Sequence, residues 1–283
     1  MRALTFLARR FVAGDTLEEA LSVVQRLNRQ GLKVTLDHLG EECKSPEQAA
    51  ADRDQYIEML RRLAGAGADA NVSLKLTQFG FGLDEGLARD NLCAVLEEAK
   101  RLGNFVRIDM EGSAYTQKTL DLFYSLHADY PDTGVVIQAM LRRSKADISE
   151  LSRRRVRVRL CKGAYKENAE TAFTTKEEVN RNFDQLAAAL LGGKAPLPAI
   201  ATHDDARIAA AQRAAAAAKV PKGGFEIQML YGLRAKRWRE LRDEGHIVRI
   251  YVPYGTHWLP YFSRRLRERK ENWLFVIKNL FRG

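Results

Sequence analysis

RVRVRLCKG, residues 155–163, is a short β-branched and apolar run set between stretches whose apolar residues recur at three- and four-residue steps. That alternation reads as a strand between two amphipathic helices. The same unit repeats along the chain. Upstream lie KVTLDHL (33–39), NVSLKLT (71–77), FVRIDME (105–111) and GVVIQAM (134–140); downstream lie LPAIATH (197–203), FEIQMLY (225–231) and HIVRIYVPYG (246–255). Eight strands separated by helix-length segments favour parallel pairing, because each crossover is long enough to return the chain to the same end of the sheet. The expectation is an α/β fold of the (βα)8, TIM-like kind, closed but distorted. An open doubly wound sheet is the alternative, since periodicity does not distinguish closure from a free edge.

The intervening helices carry start signals. Thr16 and Glu19 form a capping box ahead of the apolar stripe Leu17, Ala20, Leu21, Val24 and Leu27, and Gly31 stops the helix. Ser45, Pro46 and Gln48 supply an N-cap, a first-turn proline and a capping partner for a helix running to about Gly65. With 283 residues, 46% of them hydrophobic and 29% charged, the composition is globular and long enough for one barrel. No linker or low-complexity segment divides it, so residues 1–283 read as a single domain, with 1–14 an N-terminal helical arm over the barrel or its cofactor.

Cys43, Cys93 and Cys161 lie far apart with no CxxC pair, which argues against a disulfide framework or a Cys-rich zinc site. Arg9 and Arg10 interrupt the only signal-like stretch, and no run approaches a bilayer span. A cytoplasmic protein is expected, with peripheral membrane attachment open to it. The 46 basic and 36 acidic residues leave a net charge of +10. The excess sits in clusters such as Arg153–Arg155 and Arg234–Arg242, interleaved with acids as on solvated faces. No nucleic-acid motif accompanies it, and no nucleic-acid partner is expected.

Active-site groups of such barrels sit at the C-terminal ends of strands. Here those ends carry Asp37 and His38, Lys75, Asp109 and Glu111, Gln138, Arg159 and Lys162, His203 and Asp204, Gln228, and Tyr251. Each alone has a structural explanation, but polar groups around the whole mouth imply a large, polar, charged ligand. Gly80, Gly82 and Gly86 miss the dinucleotide fingerprint by one residue and read as a flexible loop; there is no phosphate loop and no GxSxG elbow. The five histidines are never three or four apart, so no helical metal pair exists, and no metal is expected. After the last strand, a helix presents Arg264, Arg265 and Glu268, whose guanidinium forks suit a carboxylate or phosphate.

Together these segments resemble the proline dehydrogenase family: SLKLT with Lys75, RIDME with Asp109, VIQAM with Gln138, VRLCKGAY with Arg159 and Lys162, ATHD with His203, EIQMLYG with Leu230, and YVPYGTH followed by RRLRE. The resemblance runs from about residue 33 to residue 268. It implies a non-covalent FAD on the barrel mouth and oxidation of L-proline to Δ1-pyrroline-5-carboxylate, with electrons passed to a membrane quinone. It places Arg159 near the reacting flavin nitrogen and gives the rest of the cofactor to Gln138, Lys162, Gly163, Ala164, Thr202, His203, Gln228, Leu230 and Glu268. Lys75, Arg264 and Arg265 would surround the proline carboxylate, Tyr251 and Leu230 would wall the ring, and Asp109 would orient Tyr251 or Lys75. Lys75, Asp109, Arg159 and Tyr251 form the implied catalytic set.

The chain ends at Gly283, so a monofunctional member is expected, its product passing to a separate aldehyde dehydrogenase. Two rivals use the same residues differently. A barrel lyase or aldolase would employ Lys75 or Lys162 as a Schiff-base nucleophile, and a basic RNA- or membrane-surface protein would use the charge alone.

Overall fold

The computed structural model describes residues 10–259, in which eight parallel strands close on themselves in chain order, each bonded to the next and the last to the first. They are β1 (Lys33–His38), β2 (Ala70–Leu74), β3 (Val106–Ile108), β4 (Thr133–Gln138), β5 (Arg157–Cys161), β6 (Ala199–Ala201), β7 (Glu226–Leu230) and β8 (Ile247–Tyr254). Alternating with them are α1 (Leu17–Asn28), α2 (Pro46–Gly65), α3 (Glu85–Arg101), α4 (Ser113–Leu126), α5 (Ser144–Arg153), α6 (Lys176–Leu191), α7 (Asp205–Ala217) and α8 (Ala235–Asp243). Closure removes the open-sheet alternative.

The seam where β8 meets β1 is covered by α1, which precedes the first strand and packs against both. Its capping box forms as the sequence predicts, and Leu17, Ala20, Leu21, Val24 and Leu27 are buried. Residues 10–14, the described part of the expected helical arm, are not helical. Phe11 and Val12 are buried, Ala13 N–H donates to the Pro253 carbonyl, and Gly255 N–H donates to that of Gly14. Gly14, at φ +141°, keeps this strap out of the helical region and leads into the Thr16 cap.

Successive strand residues point to opposite faces. The outward set, including Val34, Leu36, Val72, Leu74, Val158, Leu160, Ile227, Val248 and Ile250, is buried against the helices in one apolar cluster. The inward set is polar: Thr35, Asp37, Asn71, Ser73, Arg107, Arg159, Glu226, Gln228 and Arg249 are all buried. Barrels usually fill their interior with branched apolar side chains. Here the lumen is instead a hydrogen-bonded network.

The second expected strand is shortened. Past Leu74 the chain turns into a 3-10 segment, Leu76–Phe79, ended by Gly80 at φ +102°. The glycine loop read as flexible is tied down. Phe81 N–H donates to Leu76, Leu83 and Asp84 N–H groups donate to Gly80, and the Asp84 side chain caps α3.

Candidate active site

Three strands, β2, β3 and β5, deliver the centre of the mouth. Lys75 follows β2, Asp109 follows β3, and Arg159 lies within β5. Arg159 Nη1 donates to Asp109 Oδ1 at 2.7 Å and to Ser73 Oγ at 3.2 Å, and its Nε donates to Gln228 Oε1 at 2.6 Å. Across the barrel, the Tyr251 hydroxyl of β8 donates to Asp109 Oδ2 at 2.9 Å. The Arg159 guanidinium also stands 5.3 Å from the centre of the Tyr251 ring. Asp109 thus orients Tyr251. Its other expected partner, Lys75, goes instead to Asp37, with Nζ donating at 3.1 and 3.3 Å to the two carboxylate oxygens.

Protonation follows from these contacts. Burial alone would lower Lys75, but Asp37 and then Asp109 raise it above the ordinary lysine value, so it stays an ammonium. Burial and the nearby Asp109 and Asp37 carboxylates push Tyr251 well above an ordinary phenol, so it remains a neutral donor. Glu111, at the mouth beside β3, is raised by burial, while Thr77 opposes the shift by donating to it through both hydroxyl and backbone N–H.

The remaining residues line an arc on β4 to β7. Gln138 ends β4 and donates to the Glu111 carbonyl at 2.8 Å; Lys162, after β5, pairs with Asp204 Oδ2 at 2.8 Å. Thr202 Oγ1 accepts from Asp204 N–H, and His203 Nε2 accepts from the Leu230 N–H at 3.1 Å. Gly163 is at φ +101°, and a Cβ there would run into Met140 and the Gln138 amide oxygen. Ala164, next to it, is exposed. Arg264, Arg265 and Glu268 lie outside the described residues.

Two features fit a large polar cofactor. With Nε and Nη1 of Arg159 committed, its buried Nη2 has no acceptor among the described residues. Gly163 lets backbone approach where a side chain would not fit. Among the described residues, no group of three or more His, Cys, Asp or Glu side chains could hold a metal ion. Sequence reading left four members of the network without a role, Asp37, Ser73, Glu226 and Arg249. Their signal was period-two spacing from Lys75, Gln228 and Tyr251, or direct placement beside a named strand-end residue.

The chain matches the family described as proline dehydrogenase over residues 20–278. Proline dehydrogenase 1 of Bacillus subtilis strain 168 is 42% identical over 276 residues, covering 97% of this chain and 91% of that protein. Proline dehydrogenase of Deinococcus radiodurans is 37% identical over 282 residues, covering 98% and 91%. Among solved structures, proline utilization A (PutA) from Bdellovibrio bacteriovorus, inactivated by N-propargylglycine, superposes with a TM-score of 0.85 at 29% identity over 92% of this chain. The present chain spans 32% of that longer one.

Proposed function

The chain belongs to the proline dehydrogenase family and oxidises proline in proline catabolism, and we propose that it does so with FAD held non-covalently on the barrel mouth, passing electrons to a membrane quinone. Oxidation removes a hydride from the ring carbon beside the amine and a proton from the nitrogen. The C=N bond of Δ1-pyrroline-5-carboxylate results, and its hydrolysis gives glutamate semialdehyde for a separate aldehyde dehydrogenase. When bound, the flavin supplies the two-electron acceptor.

The observation that carries this reading is Arg159, oriented from two sides by Asp109 and Gln228 and left with a buried Nη2 that finds no acceptor among the described residues. A fixed positive charge there stabilises electron density arriving beside it. Gln138, Lys162, Gly163, Ala164, Thr202, His203, Gln228, Leu230 and, outside the described residues, Glu268 would hold the rest of the cofactor. Tyr251, fixed by Asp109, and Leu230 would form the apolar walls of the ring site. No strong base is required when the amine arrives neutral, because the nitrogen lone pair assists hydride loss.

Lys75 speaks against the aldolase reading. A Schiff-base lysine needs a neutral amine, and Asp37 holds this one protonated. Its ammonium, held in place by Asp37, would meet the proline carboxylate together with Arg264 and Arg265. No helix among the described residues is long and apolar enough to cross a membrane. Quinone reduction from the membrane surface would draw on the net charge of +10, which suits anionic headgroups.

The deciding experiment is spectroscopic. Purified protein should be yellow and should bleach when proline is added without oxygen. A protein that binds FAD but keeps its colour under saturating proline would overturn the reading.

A further inference from the structure

Below the mouth, a second layer of buried charge reaches up to Arg159 through Gln228. The Gln228 Nε2 donates to Glu226 Oε2 at 2.7 Å, while its Oε1 accepts from Arg159 at 2.6 Å. The amide is therefore trapped between a guanidinium that only donates and a carboxylate that only accepts, and just one of its two orientations satisfies both. Glu226 is gripped in turn by Arg249, Nε to Oε2 at 2.9 Å and Nη2 to Oε1 at 2.7 Å. The third nitrogen of Arg249, Nη1, donates to the Val34 carbonyl and to Asn71 Oδ1, both at 2.7 Å. Gln228 and Arg249 are register partners on β7 and β8, so the backbone itself holds the chain of contacts together.

We infer that Glu226, anchored by Arg249, is a positioning residue for the reaction: it fixes the Gln228 amide so that the amide oxygen orients Arg159. Stability alone does not account for the pair, because a buried ion pair replaced by apolar side chains of similar volume often costs nothing. Burial would raise the Glu226 carboxyl, yet Arg249 and the Gln228 amide bring it down to about 2, so it serves as an acceptor at every pH where the enzyme works. The inference rests on the reading that Arg159 stands beside the reacting flavin.

The test uses the flavin-loaded enzyme and its midpoint potential. Glu226→Leu/Arg249→Met removes both charges together, so the net charge of the barrel is unchanged and no lone charge stays buried. The potential should fall toward that of Arg159→Ala, and proline turnover should drop about tenfold with little change in KM. Introduced into Arg159→Ala, the same pair of changes should move the potential no further, since coupled sites are not additive. The single variant Glu226→Leu, which removes the acceptor of the Gln228 amide, gives an independent sign. Loss of a negative charge alone raises the potential, whereas an Arg159 released by a freed amide lowers it. If Arg159→Ala shifts the potential while the double variant and Glu226→Leu, each folded and yellow, do not lower it, the positioning role is wrong. If Arg159→Ala itself leaves the potential unchanged, the placement of Arg159 at the flavin fails first, and the inference with it.

Discussion

Asp109 accepts on both oxygens at once, Oδ1 from Arg159 and Ser73 and Oδ2 from Tyr251, so the guanidinium and the phenol are fixed by one carboxylate. Removing the charge it holds is the first test: Arg159→Ala should lower the flavin midpoint potential and slow proline-driven reduction, read by anaerobic titration and stopped flow. A second prediction concerns acid stability. The Glu226 carboxyl sits at about 2 in the fold against an ordinary 4.5, so its stabilisation is complete above about pH 4.5 and lost as pH falls toward 2. Glu226→Gln leaves Arg249 buried and unpaired, which costs about 3 to 5 kcal/mol at neutral pH. Its urea midpoint should converge on that of the parent protein between those pH limits. Lys75, Asp109, Arg159 and Tyr251 are legible in the sequence as charged or phenolic groups in otherwise apolar strands. Glu226, Arg249 and Asn71 were not, because they lie one step deeper on the same inward face, where only the cross-barrel partner shows that a polar side chain is satisfied.

At the level of elements, strand and helix identity came from periodicity, and the ends did not. Asp109–Glu111 and Lys75–Thr77 continue apolar runs in sequence, yet the paired strands end at Leu74 and Ile108, and the Thr77 N–H goes to the Glu111 carboxylate, a partner from the next strand end that periodicity does not show. The cap at Thr16 was readable because its partner Glu19 is three residues away; the strap at 10–14 was not, since its partner, Pro253, is at the far end of the sequence. Gly134 of β4 shows how tightly the lumen is filled. A Cβ there would meet the Arg157 carbonyl of β5 and, at 2.7 Å, the Arg107 guanidinium, and Arg107 uses that space to donate to the Val135 and Arg157 carbonyls at 3.1 and 2.5 Å. Glycine in a strand often marks such a close approach. Gly134→Ala should cost about 1 to 3 kcal/mol by overpacking, seen as a lower urea midpoint, while Gly65→Ala, at a helical position where nothing beyond its own helix and chain neighbours lies within 4 Å of the added Cβ, should raise the midpoint slightly.

Across the whole molecule the basic excess is largely self-neutralised where it is described. Arg153 and Arg154 pair with Glu150, and Arg237 with Glu240, Glu244 and Asp205, as the interleaved acids suggest. The described mouth is balanced in the same way, Lys75 against Asp37 and Arg159 against Asp109. An anionic substrate entering such a site finds each of these cations already paired, so further positive charge from elsewhere in the chain would strengthen the hold on a carboxylate. Arg264 and Arg265, on the helix expected after β8, are the candidates. Charge-assisted hydrogen bonds contribute about 1.5 to 3 kcal/mol each, so Arg264→Ala or Arg265→Ala should raise the proline KM by about ten- to a hundredfold. Arg264→Lys keeps the charge but loses the planar fork, and should recover only part of that loss. Prolinamide, which lacks the anion, should be a poor substrate for the parent enzyme and should be affected far less by either substitution. Equal KM values for proline in the parent and both alanine variants, with the flavin still bound, would return the pair to a solvated surface and leave Lys75 as the carboxylate's partner.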